Sequence, residues 1–185
     1  MSQQKVEQVR DRKLLNIELG RMTPEEYRLR PETGAVVVLD NIRSAHNVGS
    51  VFRTCDSFGI DKVWLCGICA VPPSAEIHKT GLGAEESVPW EYVGDTEEAL
   101  ERLRSKGYTI VSIEQTVNSL SLEKYSPEDG KKYAFVFGNE VDGVSQEVVD
   151  MSDFSIEVPQ YGTKHSLNIS VCVGVILWHY RLGLL

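Results

Sequence analysis

Residues 35–39 read Ala-Val-Val-Val-Leu, an uninterrupted β-branched run bounded by Gly34 on one side and Asp40-Asn41 on the other. It is too short for a helix, and a strand exposed on one face would alternate apolar with polar residues. Such a run therefore suits a strand buried on both faces. Further strands are predicted at 62–66, 108–113, 133–137 and 154–158, alternating with helical patterns at 47–58, 96–106, 145–150 and 166–182. This alternation predicts an α/β fold in which helices cover a mostly parallel sheet. Residues 67–95 are rich in Gly and Pro and read as an irregular segment lining a site or an interface. Upstream, residues 4–29 read as two short helices, the second opened by Thr23-Pro24-Glu25-Glu26. The expected organisation is a helical N-terminal extension at 1–34, followed by one domain at 35–185.

Bulk properties mainly exclude. With 185 residues and 42% hydrophobic content, the chain can bury one good core. It contains no apolar stretch long enough to span a membrane, and its charged start lacks a signal-peptide core, so a soluble cytoplasmic protein is expected. Cys55, Cys66, Cys69 and Cys172 sit among apolar neighbours, as reduced intracellular thiols do. Cys66 and Cys69 form a C-x-x-C without a second ligand pair, so no metal site is expected. The net charge of −8 argues against nonspecific coating of nucleic acid. Residues 1–30, however, hold seven Lys/Arg against five acids, leaving the remainder at −10. That excess fits either a solvated helix face or an RNA-contacting arm.

Three segments place polar and glycine residues just after strands, where open α/β sheets hold their ligands. The first runs from Asp40 to Thr54, with Asn47 as a candidate helix cap, Gly49 allowing close backbone approach, and Arg53 able to fork onto a phosphate. The second, Phe135-Val-Phe-Gly-Asn-Glu-Val-Asp-Gly-Val144, has a G-x-E-x-x-G spacing. That spacing fits neither the dinucleotide fingerprint nor the phosphate loop of nucleoside triphosphatases. The third runs from Ile156 to Ser170, where a strand ends at Pro159 and Ser166 or Asn168 opens the last helix. His165 reads as a loop histidine without catalytic duty. Taken singly, each segment could be no more than a capped helix or a turn.

In this order the three resemble the signature motifs of SpoU-type, TrmH-like RNA methyltransferases of the SPOUT superfamily, over roughly Val36 to Tyr180. The carrying patterns are N-x-G-x-x-x-R from Asn47, F-G-x-E-x-x-G from Phe137, and P-x-x-G-x-x-x-S-L-N-I-S from Pro159. Ile169 stands where valine is common and Cys172 where alanine is common. The resemblance implies a C-terminal deep trefoil knot, a homodimer, and S-adenosylmethionine as cofactor. It implies a cofactor pocket formed by Phe137, Gly138, Asn139, Gly143, Ile156, Val158, Ser166 and Leu167. Asn47, Arg53, Glu140, Ser166 and Asn168 match the functional positions. The implied reaction methylates a ribose 2′-hydroxyl in RNA rather than DNA. Arg53 is better suited to holding substrate than to taking its proton, because a guanidine is scarcely neutral near pH 7. Arg43, Lys79 and Lys164 are candidate phosphate contacts. tRNA is the expected substrate, rRNA the nearest rival, and a non-catalytic RNA-binding or assembly factor the rival from another class.

Overall fold

A computed structural model of the chain describes residues 11–185. Within them, strands β1 (Ala35–Asp40), β2 (Lys62–Cys66), β3 (Trp90–Val93), β4 (Tyr108–Ile113), β5 (Leu120–Ser121), β6 (Lys132–Phe137) and β7 (Phe154–Glu157) form one sheet. Its order is β3-β2-β1-β6-β4-β7-β5, and every pairing is parallel. Helices α1 (Pro24–Leu29), α2 (Ala45–Phe58), α3 (Ala75–Gly81), α4 (Ala84–Ser87), α5 (Thr96–Ser105), α6 (Gln146–Met151) and α7 (Ile169–Leu182) complete the chain, with short 3₁₀ turns at Asn16–Leu19 and Leu122–Lys124.

The two-sided burial inferred for residues 35–39 has a direct structural counterpart. Val37 and Leu39 of β1 pack with Phe52 of α2 and Leu177 of α7 on one face, while Val36 and Val38 join Leu100 and Leu103 of α5 on the other. All six β1 residues are buried, including the Asp40 carboxylate. Asp40 stays satisfied because it accepts from Thr96 Oγ1 at 2.6 Å, Asn41 Nδ2 at 2.8 Å and the Ser145 N–H at 3.2 Å. A buried charge is tolerated only with such partners. Here they pin the end of β1 to the starts of α5 and α6.

Several boundaries differ from the sequence reading. Residues 67–95 hold α3, α4 and edge strand β3, because a left-handed turn at Leu82-Gly83 breaks what would be one helix into two short ones. The two-residue β5 was not anticipated. Helix α2 begins at Ala45 with Ser44 as its cap, its Oγ accepting the Asn47 N–H at 3.3 Å, so Asn47 is not the cap. Helix α7 begins at Ile169, because Asn168 Oδ1 caps it by accepting the Ser170 N–H at 3.0 Å; Ser166 remains in the preceding loop.

Of the two short helices expected upstream, residues 4–10, with Lys5 and Arg10, lie outside the described residues. From 11 onward only the 3₁₀ turn precedes α1. Leu14, Leu15 and Ile17 are exposed, so the segment lacks the tertiary packing that stabilises a short helix. Helix α1 is anchored: Tyr27 is buried and its hydroxyl donates to the Ile60 carbonyl at 2.8 Å. Arg30 pairs with Asp61 at 3.0 Å, both side chains nearly buried, which gives that arginine a structural role.

Gly49 is where α2 and α3 touch. A Cβ there would lie 2.1 Å from Thr80 Oγ1 and 2.3 Å from the Ile77 carbonyl oxygen. The close backbone approach expected at this glycine is thus the approach of helix α3. Because one clashing atom is backbone, Gly49→Ala is expected to destabilise the fold by about 1–3 kcal/mol, the usual range for overpacking, as measured by urea unfolding. An unchanged midpoint would contradict this contact.

Candidate functional site

Parallel pairing brings the carboxyl ends of β1, β6, β4 and β7 to one edge of the sheet. The loops leaving β4, β6 and β7 enclose a cavity of about 430 Å³. Its lining includes every residue of the implied cofactor pocket: Phe137, Gly138, Asn139 and Gly143 from the second motif, and Ile156, Val158, Ser166 and Leu167 from the third. Glu140 and Asn168 line it too. Phe137 and Ile156 are buried and form an apolar floor, while Ser166, Leu167 and Asn168 are exposed at its rim.

The second motif is a tight loop folded back on itself. Asn139 and Gly143 exchange two backbone hydrogen bonds of 3.1 Å, and Asn139 Oδ1 accepts from the N–H groups of Val141 and Asp142 at 2.9 Å each. A Cβ on Gly138 would fall 1.9 Å from the Gly143 carbonyl carbon and 2.0 Å from the Val144 nitrogen. No side chain fits, which explains why the strand ends in glycine.

The first motif meets the other two through one side chain. Asn47 Nδ2 donates to Glu140 Oε1, and Asn168 Nδ2 donates to Asn47 Oδ1 at 3.3 Å. Asn168 thus does two jobs, since its Oδ1 also accepts from the Ser170 N–H and, at 2.7 Å, from Ser170 Oγ. Residues 47, 140 and 168 form one hydrogen-bonded chain at the cavity mouth. Arg53 is not part of it. Its side chain is exposed on α2 and makes no hydrogen bond or ion pair among the described residues, and it does not line the cavity. Arg43, Lys79 and Lys164 are likewise exposed, outside the lining, and unpaired among the described residues.

Two lining residues carry signals that the motifs did not contain. Glu114 and Gln115 follow β4 directly and reach the loops on both sides of the cavity; polar residues at a strand's carboxyl end were the available clue. His165 contributes its backbone, its carbonyl accepting from Gln115 Nε2 at 2.8 Å. Among the described residues, the wall contains Glu114, Glu140, Asp142 and Glu157 but no Lys or Arg. Such a wall suits a ligand with positive charge and repels phosphates. The same field acts on Cys172, whose thiol is pushed up to about 11 by burial and by nearby Glu114. Burial pushes Cys69 up to about 12 and raises Cys55 and Cys66 as well. Burial therefore keeps all four thiols protonated near neutral pH.

An all-parallel α/β sheet with a loop-built, anionic cavity at its carboxyl edge defines an open-sheet ligand-binding domain. The particular lineage follows from comparison. The profile of the SpoU rRNA methylase family matches residues 34–178, and the chain belongs to that family. The tRNA (guanosine(18)-2'-O)-methyltransferase of Aquifex aeolicus is 31% identical over 146 residues, 77% of this chain and 66% of that enzyme. The 23S rRNA (guanosine-2'-O-)-methyltransferase of Neisseria meningitidis is 30% identical over 150 residues, 81% of this chain and 59% of that enzyme. The chain thus spans less than two thirds of the length of these relatives. Among solved structures, the AdoMet-bound rRNA methyltransferase of Sinorhizobium meliloti superposes with a TM-score of 0.77 at 26% identity, over 86% of this chain and 60% of that one. The TrmH/SpoU tRNA modifying enzyme of A. aeolicus superposes at 0.74 with 29% identity, over 86% and 79%.

The ordering of thiol acidities can be tested directly. Under native conditions at pH 8, iodoacetamide should modify all four cysteines slowly and Cys172 first, with its rate rising about tenfold per pH unit towards 11, as read by peptide mass spectrometry. Labelling of Cys172 at the rate of an unhindered thiol would be inconsistent with its surroundings.

Proposed function

We propose that this chain transfers a methyl group from S-adenosylmethionine to a ribose 2′-hydroxyl of structured RNA. The observation that carries this reading is the hydrogen-bonded chain Glu140–Asn47–Asn168 at the mouth of a cavity lined by the second and third motifs. The residues fit the cofactor. About 430 Å³ lies within the ~300–1,000 Å³ usual for small-molecule sites. The carboxylate wall without a cation accommodates a sulfonium, and the glycine turn brings backbone groups to the cavity. When bound, the cofactor supplies an electrophilic methyl carbon.

The protein's own contribution is orientation. Phe137, Ile156, Val158 and Leu167 hold apolar surface. Gly138, Asn139, Gly143 and Ser166 offer backbone and hydroxyl partners. Glu140 fixes Asn47, and Asn47 fixes Asn168, so three loops present a preformed polar rim to the ribose. Arg53 lies outside this rim within its own subunit. We assign it to the substrate phosphate and ribose, contributed to the site of a second copy. Its exposed guanidinium, unpaired among the described residues, fits that assignment, as do the exposed apolar residues Val171, Val175, Trp178 and Leu182 along α7, which suit a homodimer face.

The segment from Val158 to Asn168 is assigned as the strand of chain that passes through the loops after β4 and β6 to form a deep trefoil knot, a rare topology. The bond from Gln115 to the His165 carbonyl supports that path. Residues 35–185 are proposed as the methyltransferase domain and 1–34 as its helical extension, working in the cytoplasm. Arg43, Lys79 and Lys164 are proposed to meet RNA phosphates. tRNA is the first substrate to test; rRNA is the second, because the relatives act on both classes by name.

Two measurements test this reading. Purified protein given labelled S-adenosylmethionine with tRNA or rRNA should produce a 2′-O-methyl nucleoside, read by nucleoside mass spectrometry; no transfer to either RNA would refute it. Loss of positioning in Arg53→Ala should lower kcat by about 10²-fold while cofactor affinity stays within about twofold. Wild-type turnover in that variant would remove Arg53 from the mechanism.

A further inference from the structure

Glu114 and Gln115 belong to none of the three motifs, yet between them they hold loop walls on both sides of the cavity. The Glu114 backbone N–H donates to the Ile156 carbonyl at 3.0 Å, which fixes the pair against β7. Its Oε2 accepts the Val144 N–H at 3.0 Å, and its Oε1 accepts the Gln115 N–H at 2.8 Å. The carboxylate occupies space that the second motif leaves free: Gly143 has φ +71°, and a Cβ there would fall 2.2 Å from Oε2. On the other side, Gln115 Nε2 donates to the His165 carbonyl at 2.8 Å. Adjacent residues thus tie the 138–144 loop and the 158–168 segment to the same strand end.

We propose that Glu114 and Gln115 form a two-sided clip that sets the width of the cavity and thereby the affinity for the adenosyl ligand. This rests on the cofactor reading above. Both are positioning residues acting through Gly143-Val144 and His165. A carboxylate is the suited group at 114, since it accepts from two N–H donors and returns none. A glutamine there keeps the size but turns one acceptor into a donor facing an N–H. An alanine leaves the Val144 N–H without its partner beside the cavity, and the loop must move to find another.

The test is calorimetric binding of S-adenosylmethionine and of S-adenosylhomocysteine, which lacks the sulfonium charge, to the full chain and to Glu114→Ala, Glu114→Gln and Gln115→Ala. A clip weakens both ligands together: about tenfold or more in Glu114→Ala, and less in Gln115→Ala, where a neutral hydrogen bond is lost. KM for the cofactor should rise more than kcat falls. Hydrogen exchange at Val144 should speed up in Glu114→Ala, and exchange in 158–168 in Gln115→Ala.

A folded Glu114→Ala that binds both ligands within about twofold of wild type overturns the proposal. So does a loss confined to the sulfonium ligand, which would make Glu114 a charge partner instead. Should Glu114→Ala not fold, Gln115→Ala, altered at an exposed side chain, decides by the same readouts. If the unaltered protein binds neither ligand, the cofactor reading has failed, and the exchange measurements still report whether the clip exists.

Discussion

Backbone pairing between parallel strands is the constraint on which the rest of this structure depends. Because β1, β6, β4 and β7 are direct neighbours and all point the same way, residues far apart in sequence leave the sheet side by side. Asp40, Glu114, Gly138 and Val158 each follow or finish one of these strands. Where a parallel ladder stops, backbone N–H groups lose their strand partners and turn to other acceptors. Side-chain oxygens answer that need: Asp40 for Ser145, Glu114 for Val144 and Gln115, Asn139 for Val141 and Asp142. The same bonds that satisfy the ladder ends give the cavity loops their shape. Holding the fold and shaping the site are thus one set of interactions.

Much of this was legible in the sequence, for a definite reason. Strands buried on both faces leave apolar runs with no alternation, and β1, β2 and β6 each have one, whereas β4 carries Thr109 and Ser112 within it. Edge strand β3 does not, because Trp90 and Tyr92 stay partly exposed and Glu91 lies between them. β5 is two residues long, below any periodic signal. Helices α3 and α4 escaped notice because glycines at 81 and 83 read as loop, whereas Gly81 lies in the α2–α3 contact, the Gly49 carbonyl oxygen 3.3 Å from where its Cβ would be. The sequence carries a glycine's permissiveness but not which surface approaches it.

The site was legible in proportion to how many residues acted together. Motif order identified the cavity wall because many polar and glycine positions recur in a fixed succession. Glu114 is a single acidic residue after an ordinary strand, and its importance lies in a partner thirty positions away. Asn47 illustrates an intermediate case. It stood out as polar at the start of a helix and was read as a cap, but Ser44 caps, which frees the Asn47 amide to join Glu140 and Asn168.

The charge distribution of this acidic chain is compatible with the RNA substrate proposed above. Carboxylates line the cavity, so a phosphate backbone is repelled from it and a small cationic ligand is favoured. Arg43, Arg53, Lys79 and Lys164 all lie outside that lining, exposed and unpaired among the described residues, where phosphates can be met without drawing the chain into the cavity. On that proposed reading, two oppositely charged substrates are kept in adjoining compartments. The same reading requires that a sugar oxygen be presented from outside to a methyl carbon held inside, which is a matter of orientation at the rim. A rim built from neutral amides, with one carboxylate fixing Asn47, orients a hydroxyl without competing for either charge.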